Sequence, residues 1–317
     1  MRLKYLKPRI IILSILLSGC VTSSKQNDSE ITEDPVIIKK CFAIHCELKS
    51  IDKKIAEKLE QRKHTIKRIN LDCSEGNCSL EGAEYLYWLC ELEISGNLPE
   101  SEYKNLGKLR SLRKLYISGL KNSVLRYMYD FHYMSKLTIR ESMVNSSDFI
   151  SRMPKLRRLY WNRNKGSIDL NFLKYTKNIR VLWLKNHNTI TSSSELKNLK
   201  QLQSINFSNS KIDSPSFENL PSLHVVNILN TGIKDFSFLN KVPSLYSLEF
   251  SPSCNFDINV LYKIKLKELA SGKCILEKLS NKYIRNLDRF QIIDDFSDEF
   301  LLEYKSKYPR TEISGKL

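Results

Sequence analysis

Residues 179–188 read I-R-V-L-W-L-K-N-H-N. Ile179, Leu182 and Leu184 stand at positions 1, 4 and 6 of this stretch, and His187 and Asn188 supply the polar residues a turn needs. In an extended chain side chains alternate between faces, so positions 4 and 6 share one side and Val181, Trp183 and Lys185 share the other. The same frame fits Leu156/Leu159/Trp161, Leu202/Ile205/Phe207, Leu223/Val226/Ile228 and Leu245/Leu248/Phe250, in steps of 23, 23, 21 and 22 residues. Weaker copies start upstream at Ile66, Leu89, Leu112 and Met134, and downstream at Leu266 and Leu287; the Leu266 copy lacks a third apolar residue. A unit of this size cannot bury its apolar face alone and must stack on its neighbours. The expectation is one continuous solenoid of about ten repeats over 66–292.

The pattern L-x-x-L-x-L-x-x-N/C at this period resembles the leucine-rich repeat. The second halves Thr231-Gly-Ile233-Lys-Asp235 and Ser210-Lys-Ile212-Asp213 are similar to the internalin-like subtype. The resemblance implies an α/β solenoid: a horseshoe with a parallel sheet on its concave side and short 3-10 or irregular segments on its convex side. Asn97, Ser142, Asn164, Ser210 and Thr231, near position 9, are expected to bond the backbone where the chain leaves each strand. A solenoid needs covers at its ends. An N-terminal cap is expected over 36–65, with strands around Cys41 and a one-sided helix at about 50–63 (Ile51, Ile55, Leu59) starting at Ser50. A C-terminal cap is expected over 293–317, with Ser297 capping a helix whose first turn holds Asp298 and Glu299, and Pro309 stopping it.

Residues 1–19 carry Arg2, Lys4, Lys7 and Arg9 and an apolar run from Ile10 to Leu17. Eight helical residues cover about 12 Å, against a hydrocarbon core of roughly 30 Å, so the run reads as a signal peptide and not a span. Leu17-Ser18-Gly19-Cys20 resembles the lipobox of bacterial lipoproteins, which implies a lipid on Cys20 and an address in the cell envelope. Val21 and Thr22 lack the Asp that marks inner-membrane retention in the enterobacterial pattern, which implies the outer membrane of a Gram-negative cell. Residues 20–35, polar after Cys20, read as a flexible tether.

The formal charge of +16 falls to +12 once the four basic residues of the signal are removed. In the envelope such a chain meets headgroups, lipopolysaccharide phosphates, anionic glycans or acidic proteins, and not nucleic acid. In an oxidising compartment Cys41 and Cys46, Cys73 and Cys78, and Cys254 and Cys274 are disulfide candidates, which leaves Cys90 alone in a strand. Crossing pairs such as Cys41 with Cys78 stay open, because spacing does not fix connectivity. The repeated C-x4-C also admits zinc, but exported chains use such pairs far more often as disulfides.

No catalytic fingerprint, phosphate loop or dinucleotide motif occurs, and the five histidines are scattered, so no enzyme and no cofactor are expected. Binding is then the function to look for, on the residues that face outward from the strands. In the middle of the array these are Tyr116, Tyr160 and Trp183 among Lys114, Lys136, Arg140, Arg158 and Lys185, followed by Asn206. Aromatic rings among cations suit a protein partner or an anionic glycan such as lipopolysaccharide. Glu91 and Glu93 stand at one end of the row and Glu249 and Glu268 at the other, while Arg157, Arg158, Arg163 and Lys165 form the densest basic run. The alternatives are a scaffolding lipoprotein held to anionic membrane by charge, and a hydrolase assembled on the solenoid surface with His132 or His187.

Overall fold

The computed structural model describes the backbone of 38–42 and 45–48, residues 51 and 57, and residues 67–315 except 77, 130, 213 and 214. Fourteen strands form one sheet. Its first strand, Ile38–Phe42, runs antiparallel to His45–Leu48, and the later neighbours pair in parallel. Eleven strands, from Arg68–Cys73 to Arg289–Ile292, follow the repeat frame, one for each start in the sequence and in line with the expected solenoid of about ten repeats. His45–Leu48 precedes them and Glu312–Gly315 follows them in the same sheet.

Equal repeat length keeps equivalent residues in register. Leu137 pairs with Leu159, Leu159 with Leu182 and Leu182 with Ile205, and one residue on, Thr138, Tyr160, Trp183 and Asn206 form the next row. The inward residues Leu159, Trp161, Leu182, Leu184, Ile205 and Phe207 expose no surface. Each such side chain contributes about 1.5–3 kcal/mol by burial. In the Leu266 copy, Ser271 occupies the inward place of the missing apolar residue; it is fully buried and its hydroxyl has no described partner.

Where each strand ends the backbone turns left-handed. Gly96, Gly119, Glu141, Arg163, Asn186, Asn209 and Asn230, all at position 8, have φ between 51° and 79°. Gly119 is required twice over, since a Cβ there would also collide with Oδ1 of Asn97. Asn186, Asn209 and Asn230 suit the conformation and link into a ladder, Asn209 Nδ2 donating to Asn186 Oδ1 at 3.1 Å and Asn230 Nδ2 to Asn209 Oδ1 at 2.9 Å. Arg163 has neither advantage, and its exposed ion pair with Glu141 at 3.0 Å offsets little of the strain. Arg163→Asn is therefore expected to stabilise the protein by about 1 kcal/mol in urea unfolding; an unchanged midpoint would count against strain at this position.

Position 9 is buried at Ser142, Asn164, Ser210 and Thr231, and the last three bond the backbone as expected, whereas Asn97 is exposed and Ser142 bonds the side chains of Asn164 and Trp161 instead. Asn164 accepts the Val144 N–H at 3.1 Å and donates to the Val144 carbonyl at 2.9 Å. Ser210 accepts the His187 N–H at 2.9 Å, and Thr231 donates to the Ile228 carbonyl at 2.9 Å. The convex side holds 3-10 turns, among them Asp148–Arg152, Leu170–Lys174, Ser193–Asn198 and Ser237–Lys241. Between them and the main sheet lies a small parallel sheet of Ile168–Asp169, Thr189–Thr191 and Lys211–Ile212, too short to mark the sequence.

Of the helix expected at about 50–63, only Glu57 is described as helical. At the other end, Ser297 Oγ accepts the Phe300 N–H at 3.2 Å and starts the helix Asp298–Lys307. Cys73 bonds Cys78 and Cys254 bonds Cys274, with Cα–Cα distances of 5.1 and 5.7 Å. Cys20 and the side chains of Cys41 and Cys46 lie outside the described residues. Cys90 does not stand alone: it is disulfide-bonded, which corrects the expectation drawn from even spacing.

Candidate functional site

The central concave surface is built by the strands Lys114–Ser118, Lys136–Arg140, Arg158–Asn162 and Val181–Lys185. Alternation sends Leu115, Leu137, Leu159 and Leu182 into the core and leaves their neighbours outside. Three rows result. Lys114, Lys136, Arg158 and Val181 form the first; Tyr116, Thr138, Tyr160 and Trp183 the second; Ser118, Arg140, Asn162 and Lys185 the third.

The aromatic residues touch one another or a shared cation. The Tyr160 and Trp183 rings meet edge to face, centroids 5.1 Å apart at 82°. Trp183 Nε1 donates to Ser204 Oγ at 2.9 Å, which fixes the indole. Lys136 Nζ lies 4.5 Å from the Tyr116 ring centroid and 5.4 Å from that of Tyr160, and donates to the Tyr116 hydroxyl. Thr138, between the two tyrosines, is small and buried, which leaves the gap that Lys136 crosses. Lys136, Arg140, Arg158 and Lys185 make no ion pair with a described residue, and Arg140 and Arg158 are exposed.

The flanks differ. Glu91 is nearly buried between Arg68 and Lys114, with Lys114 Nζ at 2.9 Å. Burial pushes its carboxyl up, but hydrogen bonds from Arg68 and Lys114 outweigh that and hold it below the usual range. Asn206, expected to face a ligand, is largely buried, and its Oδ1 accepts the Ser208 N–H at 3.1 Å and the Ser208 hydroxyl at 2.8 Å. It closes a turn, as Asn227 does by accepting the Leu229 N–H at 3.2 Å. The basic run also divides. Arg157 and Arg158 enter the strand, whereas Arg163 and Lys165 follow its exit, separated by about 13 Å of extended chain.

His187 is part of the buried position-9 column. Its Nε2 donates to the Trp161 carbonyl at 2.6 Å, and its Nδ1 has no described partner. Burial lowers its pKa to about 4 against the partial opposition of that bond. It cannot reach a substrate on the concave face. His132, exposed on the rim, has Nδ1 3.2 Å from the Arg152 carbonyl. Among the described residues no three His, Cys, Asp or Glu side chains are grouped to hold a metal. No helix among them is long and apolar enough to cross a membrane.

These features define a leucine-rich-repeat solenoid with a continuous parallel concave sheet. No protein-family model matches the chain, and no curated protein matches it. Solved structures share its fold. Internalin C2 from Listeria monocytogenes superposes with a TM-score of 0.51 at 20% identity, over 60% of this chain and 83% of that one. Internalin InlF from the same organism gives 0.50 at 17% identity over 86% of each chain. The functional domain of Listeria monocytogenes InlJ, described as including a cysteine ladder, gives 0.51 at 15% identity over 81% of this chain and 55% of that one.

Proposed function

We propose that the protein is a non-enzymatic envelope lipoprotein that binds an acidic protein surface on its concave sheet, centred on Tyr160 and Trp183. One observation carries this reading: among the described residues Lys136, Arg140, Arg158 and Lys185 lack ion-pair partners around a pre-ordered aromatic group, whereas Arg68 and Lys114 nearby are both paired with Glu91. Rings held in place by neighbours lose little freedom on binding, and unpaired cations steer and hold a complementary charge.

Affinity capture from envelope extract with the protein, at low and high salt, identifies the partner. Tyr160→Ala with Trp183→Ala is then expected to weaken it by at least about tenfold, the loss typical of aromatic anchors. Unchanged affinity in a folded double variant sinks the reading. An anionic glycan would instead be bound with the same residue dependence by lipopolysaccharide alone. A scaffold without a discrete ligand would lose binding with salt and ignore both aromatics.

The envelope address rests on the resemblance of residues 17–20 to a lipobox. Cys20→Ser is expected to move the chain from the membrane fraction to the soluble fraction, and retention of the variant on membranes would remove the anchor from the proposal.

A further inference from the structure

A second surface runs along the rim where the chain enters the strands. Three segments lead into this rim: 104–114, 150–158 and 172–180 hold five, four and three basic residues and no acidic one. The segment between the first two, 127–136, has a single acid, Asp130, and is rich in tyrosine.

Backbone bonds stack these segments directly. Ser135 N–H donates to the Arg113 carbonyl at 2.8 Å, Arg157 to Ser135 at 2.9 Å and Arg180 to Arg157 at 2.8 Å, so Arg113, Arg157 and Arg180 share one column. Beside it, Lys155 Nζ sits 4.3 Å over the Tyr133 ring, and Asn178 Nδ2 donates to the Pro154 carbonyl at 2.9 Å. Arg152 lies 5.8 Å from the Tyr129 ring centroid. Tyr133 is 52% and Tyr175 66% exposed, whereas Tyr160 and Trp183 are half-buried. Arg152, Lys155, Arg157 and Lys177 are exposed and make no ion pair with a described residue, and Arg180 meets the amide oxygen of Gln201, at 3.3 Å, with no ion pair to a described residue. The described carboxylates of this rim stand at its two ends, Glu84 on Lys108 at 3.2 Å and Glu195 on Lys174 at 3.7 Å. The opposite rim is sparser in charge: Glu141 pairs with Arg163, Lys165 is exposed without an ion pair among the described residues, and asparagines take over from Asn186.

From this juxtaposition we infer that the strand-entry rim is a membrane-facing edge that takes the phosphate headgroups of anionic lipids, with Tyr133 and Tyr175 at the headgroup level. Cations alone would fit any polyanion. Exposed tyrosines interleaved with Lys and Arg along a rim of stacked coils fit a planar interface, where rings bury their apolar body and keep the hydroxyl wet. The rim is distinct from the concave sheet, which stays open to a partner when the rim is against lipid.

The test uses the full chain carrying Cys20→Ser, so that no attached lipid contributes, with vesicles of phosphatidylcholine alone or mixed with phosphatidylglycerol. Replacing Arg152, Lys155, Arg157 and Arg180 by Gln is expected to weaken binding to mixed vesicles at least about tenfold. A control with the same charge change, Gln at Arg163, Lys165, Lys211 and Lys234, is expected to lose less than about threefold, because those side chains lie away from the rim and contribute only long-range, screened charge. Tyr133→Ser with Tyr175→Ser is expected to lower the binding that survives high salt, and Trp183→Ala to leave vesicle binding unchanged. Thermal melting of each variant confirms that it is folded. Equal losses in rim and control variants, absence of binding to phosphatidylglycerol, or rim dependence seen with inorganic polyphosphate but not with vesicles overturns the inference. An effect of Trp183→Ala as large as that of the rim variant overturns it as well.

Discussion

Trp161→Ala is expected to destabilise the protein by about 3–5 kcal/mol, the range for emptying a fully buried large aromatic site. Trp161 has no exposed surface and packs edge to face on Phe149 and His187, with centroids 5.8 and 6.0 Å away. Its Nε1 donates to Ser142 Oγ at 2.7 Å, and that hydroxyl donates to Asn164 Oδ1 at 3.0 Å. The substitution therefore opens a cavity and also strips one partner from a buried polar chain. Because each coil contacts only its neighbours, urea unfolding followed by circular dichroism is expected to split into two transitions, the coils around residue 161 melting first. A single transition displaced by less than about 1 kcal/mol would show that the indole is not the centre of this packing.

Acidification is expected to remove a comparable amount through one residue. His187 titrates near 6.5 in the unfolded chain and at about 4 in the folded one, because burial disfavours the imidazolium. Above pH 6.5 both states hold the neutral ring and stability is intact. As pH falls from 6.5 to about 4 the unfolded chain takes up a proton that the folded chain refuses, so stability declines. Below about 4 both are charged and the loss is complete, at about 3 kcal/mol. The folded ring has reason to refuse it: Nε2 already donates to the Trp161 carbonyl, so a second proton would place an N–H on Nδ1, which has no described partner. His187→Asn, matching Asn164 one coil earlier, is expected to flatten stability between pH 7 and 4. A slope unaltered by the substitution would assign the pH dependence to other groups.

The fold was legible because its cause is periodic. Inward residues at positions 1, 4 and 6 repeat whether or not neighbouring coils are known, and Leu159, Leu182 and Ile205 show the pattern directly. What escaped depends on contacts between coils or on residues that break the rule. Ser271 obscured one repeat by putting a hydroxyl in an apolar place. Cys90 carries no mark that distinguishes a paired thiol from a small buried hydrophobe. Arg157, Arg158, Arg163 and Lys165 are close in sequence, but the intervening strand sends them to opposite rims. The concave row containing Tyr160 and Trp183 was readable from alternation alone. The bond from Trp183 to Ser204 and the place of Lys136 between two rings were not, since both join coils twenty or more residues apart. Asn206 misled for a related reason: its row position is outward, but a short polar side chain at a strand end bonds its own turn first.

The two ladders at the strand exits also decide how this array can change length. In the column of Ser142, Asn164 and His187 each member is matched to a different neighbour, so these coils are keyed and their order is fixed. Further along, Asn186, Asn209 and Asn230 repeat one side chain, and Ser210 and Thr231 both place a hydroxyl at position 9. Excising or copying the unit 202–222 would bring like against like and restore the ladder, whereas excising 156–178 would take the indole from Ser142 and copying it would set a second Trp161 N–H against Asn164 in place of a serine. Length is therefore adjustable on the C-terminal side of the array and locked at its centre.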